Sequence, residues 1–451
     1  MSSTGGAVAV VGGGLAGIAA ALDLADAGHR AVLYERRPFL GGRAYSFRDP
    51  DSGAVVDNGQ HVLVGACVRL RGLMHRIDSP RGAFVRQRRL SLPVLDGRGR
   101  AAELRAAPLP APFHLLAGLL GYRHLGPAAR VRVARDVAAL VRSNAGGRHD
   151  LDHLSLGAWL ARRGAPPETI ERFWQPLVRP ALNVPVAGAN LRLSAFLLER
   201  GLWRGRADGA LWLPARGLSE ALGEPARRAL EARGVELHLG TPVRRIAPAG
   251  RGWAVEAPAG EGLEAAAVVV AVAPREADAV IPTDLRPAGG WSAIGSSPIV
   301  NVYLWYDRPV SPRPFAGVFG SPLQWIFDRS ALLGAGEAGG HCLGISLSAA
   351  DEEIDLPKNT LADACDEEVG RLFPGRKAAR RLRWTVVKEP RATFRAGPGL
   401  RGRRPGPRLH PDGLYLAGDW TDTGWPATME GAVRSGETAA KAVLDDRGAA
   451  G

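Results

Sequence analysis

Val8-Ala9-Val10-Val11 runs straight into Gly12-Gly13-Gly14-Leu15-Ala16-Gly17, and a second apolar run ends at Glu35. Residue types in this order can do one kind of chemistry, holding a dinucleotide. The apolar run suits a strand buried on both faces. Gly12 allows the tight turn out of that strand. Gly14 lets the backbone approach a pyrophosphate, and Gly17 lets the following helix pack close. That helix, expected over about 16–27, points free N–H groups at the phosphates, and Gly28 ends it. The Glu35 carboxylate can accept both hydroxyls of an adenosine ribose. A 2′-phosphate there would meet a like charge at a cost of about 1–4 kcal/mol, which disfavours NADP. Arg36 and Arg37 next door pull the other way.

Gly41-Gly42-Arg43 follows. It reads either as an ordinary surface turn or as a second backbone approach to the same pyrophosphate, with Arg43 as counter-charge. Its spacing after Glu35 favours the second reading and points to FAD rather than NAD.

Stepping outward, a chain of 451 residues accommodates two or three domains. Cys67, Cys342 and Cys365 are far apart, with no His at metal-binding spacing. A disulfide framework and a zinc site are therefore not expected, and each thiol reads as a small buried hydrophobe. The start, residues 1–7, is too short and polar for a signal peptide, and no apolar run approaches the length of a membrane span. The expectation is a cytoplasmic protein, or one peripheral on the inner face of a membrane.

The net charge of +13 comes from 58 Lys+Arg against 45 Asp+Glu. Lys358, Lys377, Lys388 and Lys441 are the only lysines. An Arg- and Ala-rich, Lys-poor chain reflects a GC-rich genome as readily as a partner. The basic clusters 86–89 and 401–404 lack interleaved aromatics, so nucleic acid is not an expected partner.

The fold class this pattern predicts is α/β, a Rossmann-like FAD-binding domain interleaved with a mixed sheet and a helical substrate domain. The expected division gives 1–75, 200–278 and 386–451 to the FAD-binding domain and 76–199 and 279–385 to the substrate domain. Residues 76–200 read as largely helical. A helix is expected over Leu218–Ala232, strands over Val235–Leu239 and Ala265–Ala273, and a further helix near 360–372. Two stretches within 108–143 carry weight. Pro108–Gly126 is apolar and proline-rich. Ala129–Ser143 puts Ala134, Val137, Ala138 and Val141 on one helical face, with Arg132, Arg135 and Arg142 elsewhere. Both suit domain packing, and both suit a peripheral membrane contact.

The tail Leu414-Tyr415-Leu416-Ala417-Gly418-Asp419-Trp420, continuing to Thr428-Met429-Glu430-Gly431-Ala432, joins the N-terminal fingerprint in resembling the flavin superfamily of amine oxidases and carotenoid desaturases. The resemblance implies that Gly418 and Asp419 contact the ribityl-phosphate region of FAD. It implies that Thr428, Met429 and Glu430 open a helix under the flavin ring, and that Val243 meets the adenine through its backbone. A helix N-terminus there would stabilise negative charge on the reduced ring. Leu15, Ala16 and Arg36 join the implied cofactor contacts.

Gly42-Arg43-Ala44-Tyr45-Ser46-Phe47 and Asp57-Asn58-Gly59-Gln60-His61, with the tail stretch through Asp422 to Trp425-Pro426, look like the bacterial hydroxysqualene dehydroxylase family. Phe173–Leu177 and Lys388–Phe394 also fit it. That family implies reduced, non-covalently held FAD, an allylic alcohol losing water, and hydride from flavin N5 giving squalene for hopanoid synthesis. It implies a long isoprenoid substrate in an apolar tunnel, a membrane surface where such a substrate resides, and a functional partnership with squalene-pathway synthases. Gly59, Gln60 and His61 fall on the family's flavin-side loop.

The proton donor stays open among His61, Asp422 and Glu430, or a water. Each has a plain structural reading as well: a loop contact, an ordered turn and a helix start. Trp420 and Trp425 either line the tunnel or simply pack. Three other classes stay open. An amine oxidase would share the FAD motifs and use a lysine near Lys388. A carotenoid desaturase would run the hydride the other way. A lipid chaperone would keep FAD without turnover.

Overall fold

The computed structural model describes residues 6–50, 53–145, 149–205, 207–333 and 340–448. Residues 1–5 of the polar start lie outside them. Val8–Val11 is a fully buried strand at the middle of a six-stranded sheet. The spatial order is Glu236–Leu239, Ala31–Glu35, Val8–Val11, Ala267–Val270, Leu414–Leu416 and Arg408–His410. All neighbours run parallel except the last pair. Helix Leu15–Asp26 follows the glycine turn. Gly28, at φ +83°, ends it: Gly28 N–H donates to Ala25 O at 2.9 Å and His29 N–H to Leu24 O at 3.0 Å. The C-terminal helix Met429–Gly448 lies against this first helix so closely that a Cβ on Gly436 would sit 2.0 Å from Ala16 O.

A second, seven-stranded sheet has the order Arg381–Phe394, Ser296–Tyr306, His341–Ser348, Trp325–Asp328, Phe315–Val318, Ser91–Leu95, Ala101–Arg105. It is mixed, since Phe315–Val318 pairs in parallel with Ser91–Leu95. One face is covered by helix Lys358–Leu372: Val300, Val302, Leu304 and Ile345 pack with Leu361, Cys365 and Val369. Residues paired directly across strands share a face. The chain of partners Tyr303, Gly344, Phe327 and Phe315 therefore defines the other face.

The stretch expected to be largely helical begins with strands instead. Ser91–Leu95 and Ala101–Arg105 extend the seven-stranded sheet at its edge. Ala101-Ala-Glu-Leu-Arg consists of helix formers, but pairing with Ser91–Leu95 and burial of Leu92, Val94, Ala102 and Leu104 override that propensity. From Phe113 the segment is helical, with Phe113–Leu120, Pro127–Ala145, Leu156–Arg162 and Leu191–Leu198 as its main helices. Among the described residues no helix is long and apolar enough to cross a membrane. All three cysteines are buried, and burial pushes the Cys67 and Cys365 thiols up to about 12.

Candidate functional site

The two glycine turns lie against each other. Gly41 N–H donates to Gly13 O at 2.9 Å, and Gly14 and Gly41 form a parallel bridge. Gly42 sits at φ +61°, and a Cβ there would come within 2.9 Å of Gly14 Cα. A Cβ on Gly17 would lie 1.9 Å from Gly12 O, so the helix can approach the strand only without one. A Cβ on Gly14 would meet nothing nearer than Gly42 Cα at 3.9 Å. Gly14 opens the helix with no side-chain cap and no acid in the first turn, and Leu15 and Ala16 follow it. Backbone N–H groups left free beside an open glycine cradle are a fitting seat for a pyrophosphate.

Glu35 is buried at the end of its strand. Its Oε2 accepts from Gly13 N–H at 2.7 Å and its Oε1 from Arg37 N–H at 2.8 Å. Each oxygen keeps acceptor capacity for a ribose hydroxyl. Arg36 pairs with Glu276 at 3.6 Å. Arg37 donates to Gly42 O at 2.8 Å and lies 4.7 Å over the Tyr45 ring. Thr241 N–H donates to Glu35 O at 2.9 Å, which fixes the loop that carries half-buried Val243 beside the same strand end.

Arg43 joins the beginning of the chain to its tail. Its Nη2 meets Asp419 Oδ1 at 2.6 Å and its Nη1 donates to Ala392 O at 2.7 Å. The Asp419 carboxylate raises its pKa further. Gly418 N–H donates to Ser435 Oγ at 2.8 Å. Trp420 is buried, donating from Nε1 to Val272 O at 2.9 Å beside Trp291. Arg404 wraps this turn from behind, donating to the carbonyls of Asp419, Trp420 and Thr421. Burial pushes its pKa down to about 10.

Thr428 caps the tail helix, its hydroxyl accepting from Gly431 N–H at 3.1 Å, and half-buried Met429 is the first helical residue. Glu430 is fully buried. It accepts from Leu70 N–H at 2.8 Å, Arg69 N–H at 3.2 Å and Arg434 Nε at 2.7 Å. It thus caps a second helix, Val68–Arg76, as well as opening its own. Asp422 is exposed and accepts from Gly424 N–H at 3.3 Å within its own turn. Trp425 packs edge-on to Phe196 at 5.1 Å and under Arg434 at 5.0 Å.

The 57–61 loop is clamped from the other sheet. Asp57 Oδ2 meets Arg329 Nη1 at 3.0 Å, and both side chains are almost wholly buried. The same Nη1 donates to Gln60 Oε1 at 3.2 Å. Asn301 accepts from Gln60 N–H and donates to Asn58 O, both at 3.3 Å. A Cβ on Gly59 would crowd the Asn301 amide at 3.2 Å. His61 Nδ1 lies 2.8 Å from Gly59 O, and burial lowers its pKa. A carbonyl only accepts, so Nδ1 carries the proton of a neutral ring and Nε2 keeps its lone pair.

Gln60 sits over Gly344, and beyond Gly344 on the same face stand the stacked rings of Phe327, Trp325 and Phe315, with centroids 6.1–6.4 Å apart. Lys388 is elsewhere. It pairs with Val300, whose face is covered by helix Lys358–Leu372, and its Nζ donates to Leu356 O.

Sequence reasoning missed Arg404, Arg329, Asn301 and the stacked rings. Arg404 lay inside a run weighed only as a basic cluster for nucleic acid. Arg329 and Asn301 meet partners 272 and 241 positions away, so no local spacing marks them.

The family of flavin containing amine oxidoreductases matches residues 15–444 of the chain. The chain belongs to this family, and it is an FAD-dependent oxidoreductase. It is 32% identical, over 97% of its own length and 98% of the relative's, to hydroxysqualene dehydroxylase of Rhodopseudomonas palustris. Over 97% and 98% it is 30% identical to hydroxysqualene dehydroxylase of Sinorhizobium fredii. It is 25% identical, over 97% of its length and 78% of the relative's, to 15-cis-phytoene desaturase of Solanum lycopersicum. A solved putrescine oxidase shares the fold with a TM-score of 0.74 at 16% identity, covering 98% of this chain and 99% of that one.

Proposed function

We propose that this enzyme reduces hydroxysqualene to squalene, with loss of water, in the squalene route to hopanoids. The observation that carries the proposal is the end-to-end likeness to two hydroxysqualene dehydroxylases. Reduced FAD, when bound, supplies the hydride. Gly12, Gly14, Leu15, Ala16, Gly17, Gly41 and Gly42 hold its pyrophosphate through the backbone. Glu35, Arg36 and Val243 hold the adenosine end. Gly418 and Asp419, the latter steadied by Arg43, take the ribityl-phosphate end. The helix opened by Thr428 and Met429 favours negative charge at its N-terminus. Gly59, Gln60 and His61 form the flavin-side loop.

In this scheme residues 1–75, 200–278 and 386–451 hold FAD, and 76–199 and 279–385 hold the isoprenoid. The stacked rings of Phe315, Trp325 and Phe327, with Trp425, form its apolar wall, and Trp420 anchors the tail turn. The proton for the departing hydroxyl comes through water. Glu430 is held by three donors, Asp422 orders its own exposed turn, and burial lowers the pKa of His61. Substrate arrives from squalene-pathway synthases at the inner membrane face.

The likeness to 15-cis-phytoene desaturases favours a second reading, the same wall with the hydride running from substrate to FAD. The amine-oxidase reading draws no support from Lys388, which belongs to the helix-covered face.

An anaerobic single-turnover experiment separates these readings. Protein with chemically reduced FAD is mixed with hydroxysqualene in detergent. Flavin absorbance is followed and the product is extracted for mass analysis. Flavin reoxidation matched by squalene supports the dehydroxylase. No reoxidation, with reduction of oxidised enzyme by phytoene or by an amine, overturns it.

A further inference from the structure

We infer that helix Phe113–Leu120 docks the enzyme onto an anionic phospholipid bilayer. Of the two stretches with membrane character, the later one is turned inward. Ala129, Val133, Leu140 and Val141 of helix Pro127–Ala145 are buried in the core, with Ala134 and Val137 packed against it. The earlier helix does the opposite. Phe113, Leu116 and Leu120 are 60%, 43% and 55% exposed. Spacings of three and four put them on one stripe.

The inner side of this short helix is firmly seated. His114, Gly118 and Leu119 are buried, and a Cβ on Gly118 would lie 2.4 Å from Arg105 O. The outward stripe is therefore held in place on a rigid support. Leu109 and Val131, 43% and 47% exposed, flank the helix in sequence. Among the described residues, five of the eleven exposed large hydrophobics fall between 109 and 131. Such clustering marks an interaction surface.

The charge around the patch selects its occupant. Residues 103–142 carry Arg105, Arg123, Arg130, Arg132, Arg135 and Arg142 against two acids, Glu103, which lies 3.9 Å from Arg105, and Asp136. Asp136 is buried and bound by Arg132 at 2.8 Å and Arg163 at 2.7 Å. Arg130 donates to Leu120 O at the end of the stripe's helix, and Arg123, three residues beyond Leu120, stands exposed. An apolar stripe edged by guanidinium groups matches the acyl boundary and phosphate layer of an anionic leaflet. A second copy of the chain would bring like charges together at the same face. The helix has eight residues, so it lies in the interface and does not cross it.

The test uses intact FAD-loaded protein without substrate, so it is independent of the proposed reaction. Sedimentation with phosphatidylcholine vesicles is compared with vesicles containing phosphatidylglycerol. Strong capture by the anionic vesicles, weakened by salt, is expected. The variant Phe113→Ser/Leu116→Ser/Leu120→Ser is expected to lose binding at least about tenfold with FAD content and melting temperature unchanged. Equal binding by that variant, or no capture of the wild type, overturns the inference. A dimer seen by ultracentrifugation that the variant breaks, with vesicle binding unaltered, assigns the face to a second copy instead.

Discussion

The glycine turns and the seam that joins the 57–61 loop to the second sheet are held by different means. Around Gly12, Gly14, Gly41 and Gly42, backbone meets backbone, and the approach is set by missing Cβ atoms. Around Asp57, Gln60, Asn301 and Arg329, side chains from distant segments meet in one buried network. A pyrophosphate has fixed charge and shape, so few sequences can cradle it. A buried charge asks only for a partner, which a segment far away in the chain can bring.

Closing the glycine cradle breaks the first half outright. Gly42→Val places a β-branched residue at a left-handed φ and against Gly14 Cα. Visible absorbance of the purified protein is expected to show FAD content below about one tenth of wild type. Normal content would mean that the second glycine pair is an ordinary turn.

The seam between the halves comes next. Arg329→Leu leaves Asp57 charged and buried without its partner, and about 3–5 kcal/mol of stability is expected to go. Urea unfolding measures it. Arg329→Lys keeps the charge but not the fork to Gln60, and should recover only part. A loss under about 1 kcal/mol would show that the halves are not coupled through this pair.

Arg43→Ala tests the link between the chain's ends. Arg43 is partly exposed, so solvent screening limits the effect to about 1–2 kcal/mol, or about tenfold in FAD affinity. Fluorescence titration of the apoprotein reads it. Asp419→Asn should match it, and the double variant should be little worse than either.

A smaller effect belongs to His61. Its folded pKa lies below the ordinary value of 6.5, so the unfolded chain takes up a proton that the folded one resists. Stability therefore falls as pH drops from that value toward the folded pKa, and levels off below it. Melting curves of wild type and His61→Gln between about pH 7.5 and 5 should diverge in slope over that window. Parallel curves would mean that His61 titrates freely.

The smallest expected change is Lys388→Met, with turnover of an isoprenoid altered less than about twofold. A loss of activity would bring the amine-oxidase reading back.

The same contrast explains what could be read in advance. The first strand, glycine turn, helix and Glu35 appear where their spacing puts them, because local backbone geometry demands those residue types in that order. The tail motif was legible only through its resemblance to a known family. Ala101–Arg105 was not, since helix-forming residues are drawn into a sheet edge by a partner strand. Glu430 was expected to serve its own helix and instead also caps Val68–Arg76, a contact between residues 360 positions apart. Arg404 was one member of a basic cluster, and its three carbonyl partners exist only once the tail has folded beneath it.

The central sheet that seats the nucleotide takes its strands from Val8–Val11 at one end of the chain and Leu414–Leu416 at the other. During synthesis the ribosome must therefore deliver Leu414–Leu416 before that sheet can be completed. A nascent chain stopped before Leu414 lacks both that strand and the Asp419 partner of Arg43. Bound yellow cofactor thus reports that synthesis has passed the tail strand.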